Sequence, residues 1–200
     1  MQDLQCREAG SQAGGTPSAA KARGQGHILK RLLLLRHAKA EPGTSDQEDH
    51  DRALTERGLA EAAAMARFMK KQGYAAARLL CSTSLRTRQT IEPLLAALPA
   101  PVAYLENLYL APPGRIVALA QDAADSDEVL MVVAHNPGLE QCASLLAREP
   151  VKPKEAHRHD VMEEKFPTAA LAVLDFNIAC WKRLSPGEGR LIDFVRPRDL

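Results

Sequence analysis

Apolar and polar positions are arranged very differently at the two sides of residue 28. Residues 1 to about 27 are rich in Gly, Ala, Ser and Gln and have no periodicity, which predicts a disordered tail (1–27) ahead of a folded domain over 28–200. The tail also lacks the apolar core of a signal peptide. The pattern then changes abruptly. In Arg31-Leu32-Leu33-Leu34-Leu35-Arg36-His37, four successive leucines predict a short strand buried on both faces that stops on a cation and an imidazole. Ala40-Glu41-Pro42-Gly43 breaks the chain too soon for a helix.

Strand and helix signals alternate from there. Thr55 opens a predicted helix to about Gln72, with Leu59, Ala62, Ala63, Ala66 and Met69 on one face and Gly73 ending it. Ala77 to Cys81 predicts a second strand and Ser82-Thr83-Ser84 a polar turn. Arg86 to Leu98 predicts a helix bent or ended by Pro93. A third strand near Val102–Leu105 and a helix over Arg115–Ala124 follow. Glu128 to Ala134 is the strongest strand signal. It ends on His135-Asn136-Pro137-Gly138, where Asn136 as cap and Pro137 in the first helical position predict a helix to about Arg148. Residues 149–167 read as charged and irregular, and the chain closes with predicted strands at Ala169–Phe176, Cys180–Leu184 and Leu191–Val195. This alternation implies a layered α/β/α fold with a mainly parallel central sheet.

Composition narrows the function. Two hundred residues suit one domain with a real core. A net charge of +1 argues against binding nucleic acid by phosphate neutralisation, and 4% aromatics argue against base stacking. No stretch approaches the ~20 apolar residues that span a bilayer. Cys6, Cys81, Cys142 and Cys180 are widely spaced and read as reduced thiols of a cytoplasmic protein.

Three strand ends carry the chemistry. The first strand ends in Arg36 and His37, the second leads through serines into Arg86, and the fourth ends in His135 before a helix start. In a parallel sheet these ends share one edge, so two arginines, two histidines and helix amides would converge. Buried cations without a partner are costly, and an anionic ligand would offset that cost. A phosphoryl group fits such a site. The run His157-Arg158-His159-Asp160 has metal-ligating side chains, but its solvated context reads as a surface loop, so no metal is expected.

These residues also resemble a known family. Leu33-Leu34-Leu35-Arg36-His37-Ala38-Lys39, Asp51-Arg52-Ala53-Leu54-Thr55-Glu56-Arg57-Gly58, Ser82-Thr83-Ser84-Leu85-Arg86-Thr87-Arg88-Gln89-Thr90, Ala134-His135-Asn136-Pro137-Gly138-Leu139 and Phe166-Pro167-Thr168 stand in the order found in the histidine phosphatase superfamily. More narrowly, they resemble the SixA-type phosphohistidine phosphatases. Ala38 and Thr87 depart from the commonest pattern, which has Gly and Ala there.

The resemblance implies a phosphoglycerate mutase-like fold and a nucleophilic His37. Arg36, Arg86 and His135 would bind and polarise the phosphoryl group, with Asn136 a further donor. No cofactor is implied. Where larger members carry a general acid, Leu110 stands here; Glu106 and Asp49 are the remaining candidates. The implied substrate is a phosphorylated protein, a histidine phosphotransfer domain or a phosphotransferase-system protein, met by a monomer. A phosphatase for small phosphate esters, or a phospho-ligand-binding protein without turnover, are the alternatives.

Overall fold

A computed structural model describes residues 29–200, so the predicted tail lies outside the described residues. The leucine run forms β1 (Lys30–Arg36), with all four leucines buried. Leu32 and Leu34 join one apolar cluster and Leu33 and Leu35 the other, so successive side chains feed opposite faces of the sheet. The remaining elements are α1 (Glu56–Gln72), β2 (Arg78–Ser82), α2 (Leu85–Ala97), β3 (Val102–Leu105), α3 (Pro113–Gln121), β4 (Val129–Ala134), α4 (Gly138–Leu146), α5 (Pro153–Glu164), β5 (Leu171–Phe176) and β6 (Arg190–Val195).

The six strands are ordered β3-β2-β4-β1-β5-β6. The pairings β3–β2, β2–β4 and β4–β1 are parallel, while β5 and β6 add antiparallel. Met65 and Met69 of α1 and Ile91 and Leu94 of α2 cover one face. Ile116 of α3, Leu139 and Cys142 of α4 and Met162 of α5 cover the other. The expected α/β/α layering therefore holds, as does the mainly parallel sheet. Among the described residues, no helix is long and apolar enough to cross a membrane.

Several local expectations are corrected. On α1 the inward face is Gly58, Ala62, Met65, Ala66 and Met69, while Leu59 is 47% exposed. The inward position at Gly58 admits only glycine, because a Cβ there would sit 2.0 Å from the Lys39 carbonyl oxygen. Of the two outcomes expected at Pro93, an end of the helix is the one overturned: α2 runs through it to Ala97. Asn136 is not the cap of α4; Pro137 is, and the Asn136–Pro137 bond is cis.

Within 149–167, expected to be irregular, the chain forms α5, which places His157, Arg158, His159 and Asp160 on a helix rather than a loop. Trp181–Arg183 is a turn of 3-10 helix rather than a strand, closed by the buried Trp181 indole donating to the Asp127 carbonyl at 2.7 Å. Cys81 and Cys142 are free and buried, but Cys180 is disulfide-bonded, against the expectation of a reduced thiol; Cys6 lies outside the described residues.

Candidate active site

Strand register brings the site together. Arg36 is level with Ala134 across the parallel β1–β4 pair, and Cys81 is level with Val133 across β2–β4. His37, Ser82 and His135 therefore emerge at one sheet edge, and the His37 amide donates to the Ala134 carbonyl at 3.2 Å. There a cleft of about 380 Å³ is lined by Arg36, His37, Lys39, Ala40, Asp49, Arg52, Arg86, Leu110, His135, Asn136 and Thr168. Its charges are Arg36, Lys39, Arg52 and Arg86 against the single carboxylate of Asp49. Such a cleft suits an anion.

His37 lies with Nδ1 2.8 Å from the Ala38 carbonyl oxygen. A carbonyl only accepts, so Nδ1 carries the proton and Nε2 keeps its lone pair. Burial, reinforced by the nearby Arg86, Arg36 and Arg52, pushes the His37 pKa down to about 4. Near neutral pH the ring is thus an uncharged base with one free nitrogen. The His37 and His135 rings are 5.1 Å apart.

The two arginines are held differently. Arg36 donates from Nη1 to the Phe166 carbonyl at 2.7 Å, while its buried Nε has no partner among the described residues. Burial lowers the Arg36 pKa, partly offset by the Glu140 carboxylate. The Arg86 side chain, only 4% exposed, starts in the first turn of α2 and reaches Asp49. Its Nη2 donates to Asp49 Oδ2 at 2.9 Å, and its Nη1 donates to the Asp49 backbone carbonyl.

Asp49 sits in a 3-10 turn over Asp49–Asp51, within the loop between β1 and α1. Its carboxylate also accepts from Tyr109 Oη and from Arg52 Nη1, each at 2.6 Å. Tyr109, with help from Arg52 and Arg86, holds the Asp49 carboxyl well below the usual carboxylate range. Asp49 is therefore ionised and poorly suited to donate a proton. Glu106, the other acid candidate, is exposed on the 3-10 turn Glu106–Leu108 and does not line the cleft, whereas Leu110 does. Leu110 is 55% exposed with φ 48°, a backbone strain of the sort concentrated at functional sites.

His135 is buried, and its Nε2 lies 2.9 Å from Ser82 Oγ and 3.5 Å from Ser84 Oγ. Its Nδ1 is buried without a partner among the described residues. Burial, with the neighbouring His37 and Arg86, pushes its pKa down to about 3, so this ring too is neutral. Asn136 turns its amide to Glu140 Oε2 at 2.7 Å and to the Phe166 carbonyl at 3.1 Å. It lines the cleft while tying the Phe166–Thr168 segment to α4.

All five residues expected to form the site, Arg36, His37, Arg86, His135 and Asn136, line one cleft. Sequence reasoning gave no role to Lys39, Arg52, Tyr109 or Ser82. Arg52 and Ser82 lie inside the quoted motifs, but which way their side chains turn is decided by register and loop path. Tyr109 carried no signal beyond its place before Leu110. Among the described residues, no three His, Cys, Asp or Glu side chains are grouped as a metal ion would need.

Comparison with known proteins gives the chain a family. Residues 32–111 match the family described as histidine phosphatase superfamily (branch 1). An uncharacterized protein of Mycobacterium tuberculosis is 35% identical over 164 residues, covering 82% of this chain and all of that protein. A structure from Agrobacterium tumefaciens, provisionally named phosphohistidine phosphatase SixA, is 32% identical with a TM-score of 0.68 and covers 84% of this chain and 98% of its own. A SixA structure from Nakamurella, also provisionally named, superposes with a TM-score of 0.73 at 26% identity, covering 84% and 96%. With two arginines and two neutral histidines gathered at the edge of a phosphoglycerate mutase-like sheet, this chain belongs to the histidine phosphatase superfamily.

Proposed function

We propose that this protein is a phosphohistidine phosphatase acting on a phosphorylated partner protein through a phosphohistidine on His37. The observation that carries the proposal is the fixed tautomer of His37: with Nδ1–H donated to Ala38, Nε2 presents a lone pair in a cleft lined by Arg36 and Arg86. Likeness to the Agrobacterium SixA supports the substrate class.

In the first step the His37 Nε2–P bond forms as the P–N bond to the partner's imidazole breaks, and that imidazole departs. In the second, water attacks phosphorus, the His37–P bond breaks, and inorganic phosphate leaves with the proton redistributed to solvent. Phosphoryl transfer asks mainly for positioning and for charge over three equatorial oxygens. Arg36 and Arg86 supply that charge through paired N–H donors that lysine lacks. The unpartnered Arg36 Nε is a further donor for those oxygens. No step calls on a metal.

Imidazole can leave neutral where an alkoxide needs a proton, and the cleft offers only an ionised Asp49. This favours phosphoramidates. The substrate would be a histidine phosphotransfer domain or a phosphotransferase-system protein. Mixing the protein with ³²P-labelled phosphodomains and quenching tests the proposal. A base-stable, acid-labile label on His37, absent in His37→Ala, is the expected result. Label on Ser82, Ser84 or Cys81 would refute it.

A further inference from the structure

The turn between β2 and α2 holds hydroxyls that the scheme above leaves unused. Ser82 and Ser84 are fully buried at the back of His135, as is Thr87. We propose that Ser82 is a positioning residue for the reaction: its hydroxyl donates to His135 Nε2 and so fixes the Nδ1–H tautomer that faces the phosphoryl group.

Thr87 Oγ1 lies 2.8 Å from the Ser82 carbonyl and 2.7 Å from the Ser84 carbonyl, so its one proton goes to a carbonyl. Thr87 Oγ1 is then the acceptor at 2.9 Å for the Ser84 hydroxyl, which uses the Ser84 proton. Ser84 has none left for His135, consistent with its longer 3.5 Å separation. Ser82 Oγ has His135 Nε2, at 2.9 Å, as its hydrogen-bond partner among the described residues.

Two arrangements remain. If Nε2 carried the proton, it would donate to Ser82 Oγ, and the Ser82 hydroxyl hydrogen would be buried with no acceptor. Leaving such a donor unmade is expensive. If Ser82 donates instead, every hydroxyl proton in the turn is placed and the ring proton resides on Nδ1; one donor, the Nδ1–H, then awaits an acceptor in the cleft, whereas the first arrangement leaves both the Ser82 hydroxyl hydrogen and the Nδ1 lone pair unmatched. Nδ1 is the buried atom left without a partner on a ring that lines the cleft. In that state His135 is a neutral donor aimed away from the serine turn. The opposite tautomer would turn a lone pair on the anion.

Thr87 has its part in this arrangement. It stands where Ala is commoner in the family, and by taking the Ser84 proton it leaves the Ser82 hydroxyl as the donor to Nε2. The role in catalysis rests on the phosphatase reading; the tautomer does not.

The test separates the two. Full-length protein labelled with ¹⁵N-histidine is examined at neutral pH by long-range ¹H–¹⁵N correlation, with His135 assigned from His135→Gln. Nδ1 of His135 is expected to be the protonated nitrogen, with its shift moving when inorganic phosphate is added. A resting protein with Nε2 protonated overturns the proposal, whatever the variants do. Ser82→Ala is expected to give a mixture of tautomers and to lower kcat by roughly 10- to 100-fold, a wrong-tautomer effect milder than loss of a nucleophile's own partner. Ser82→Thr, which keeps the hydroxyl, is expected to restore the Nδ1–H signal. If Ser82→Ala folds and keeps both the Nδ1–H tautomer and the wild-type kcat, the proposal fails. If the tautomer behaves as described but no phosphoryl substrate turns over, the phosphatase reading fails instead.

Discussion

The proposed mechanism asks for an uncharged His37, and its surroundings arrange this with little help from solution pH. Burial is the main cause, with Arg36, Arg52 and Arg86 adding repulsion. A histidine titration by NMR should find His37 neutral down to about pH 4, against an ordinary value near 6.5. The sign for stability follows. The unfolded chain protonates this ring first as pH falls, so stability should decline between pH 6.5 and about 4 and gain nothing from this group above that window. A midpoint near 6.5 would remove the basis for a pre-set nucleophile. The arginines give a second expectation at this scale. Losing Arg36 or Arg86 should cost on the order of 10²-fold or more in rate, about 3 kcal/mol of transition-state stabilisation. Arg88 lies on the same helix but stacks over the Tyr104 ring at 5.7 Å, outside the cleft, and its loss should be nearly neutral. Asp49 gives a third. Because it is ionised and holds Arg86, Asp49→Asn should slow aryl phosphates and phosphohistidine in similar proportion. A proton donor would instead affect the ester more. Parallel kcat/KM measurements on the two substrates decide between these outcomes.

At the scale of elements, the sheet edge is built by close approaches of backbone to helix. A Cβ on Gly138 would fall 1.8 Å from the Ala111 carbonyl oxygen, and that carbonyl belongs to the loop that carries Tyr109 and Leu110. Gly138→Ala should push this loop outward, lowering stability by about 1–3 kcal/mol and reducing activity, as chemical denaturation and steady-state rates would show. Unchanged values for both would mean the loop gives way freely. The same elements show what the sequence made legible. The leucine run, the Thr55 cap, which accepts from the Gly58 amide at 2.9 Å, and Gly73 at φ 72° each have a local physical cause, and they were readable. The failures arose where tertiary contact decides. Leu59 faces outward, and Gly58 inward, where the helix comes up against the Lys39 carbonyl and leaves no room for a Cβ. Helix α5 carries so many charges that its apolar contact with the core shrinks to Val161 and Met162, although Pro153 in its first turn is an available start signal. At the site, the residues at strand ends were legible because parallel register fixes where they emerge. Asp49 and Tyr109 meet across sixty residues through loop paths that no local pattern encodes.

For the molecule as a whole, the stretch from Arg86 to His135 contains only α2, β3, the 3-10 turn Glu106–Leu108, α3, β4 and short connections. The cleft walls are therefore loops of the sheet edge itself. A small free substrate brings little remote binding energy to orient its phosphorus in such a site. A folded phosphodomain can supply that energy from contacts outside the cleft. Together with an ionised Asp49 and an apolar Leu110 at the rim, this sets an order of preference. Phosphohistidine on a protein domain should have the highest kcat/KM, free phosphohistidine and activated aryl phosphates should follow, and unactivated sugar phosphates should barely react. The protein-bound substrate should gain chiefly through tighter productive binding, so adding unphosphorylated domain should inhibit its turnover but leave aryl phosphate hydrolysis less affected at matched saturation. Measuring kcat/KM for the four substrates under one condition tests the order. Preference for the sugar phosphate would move the protein to the small-ester branch of the family. Equal rates for free and domain-bound phosphohistidine would keep the chemistry but remove the protein partner from the recognition step.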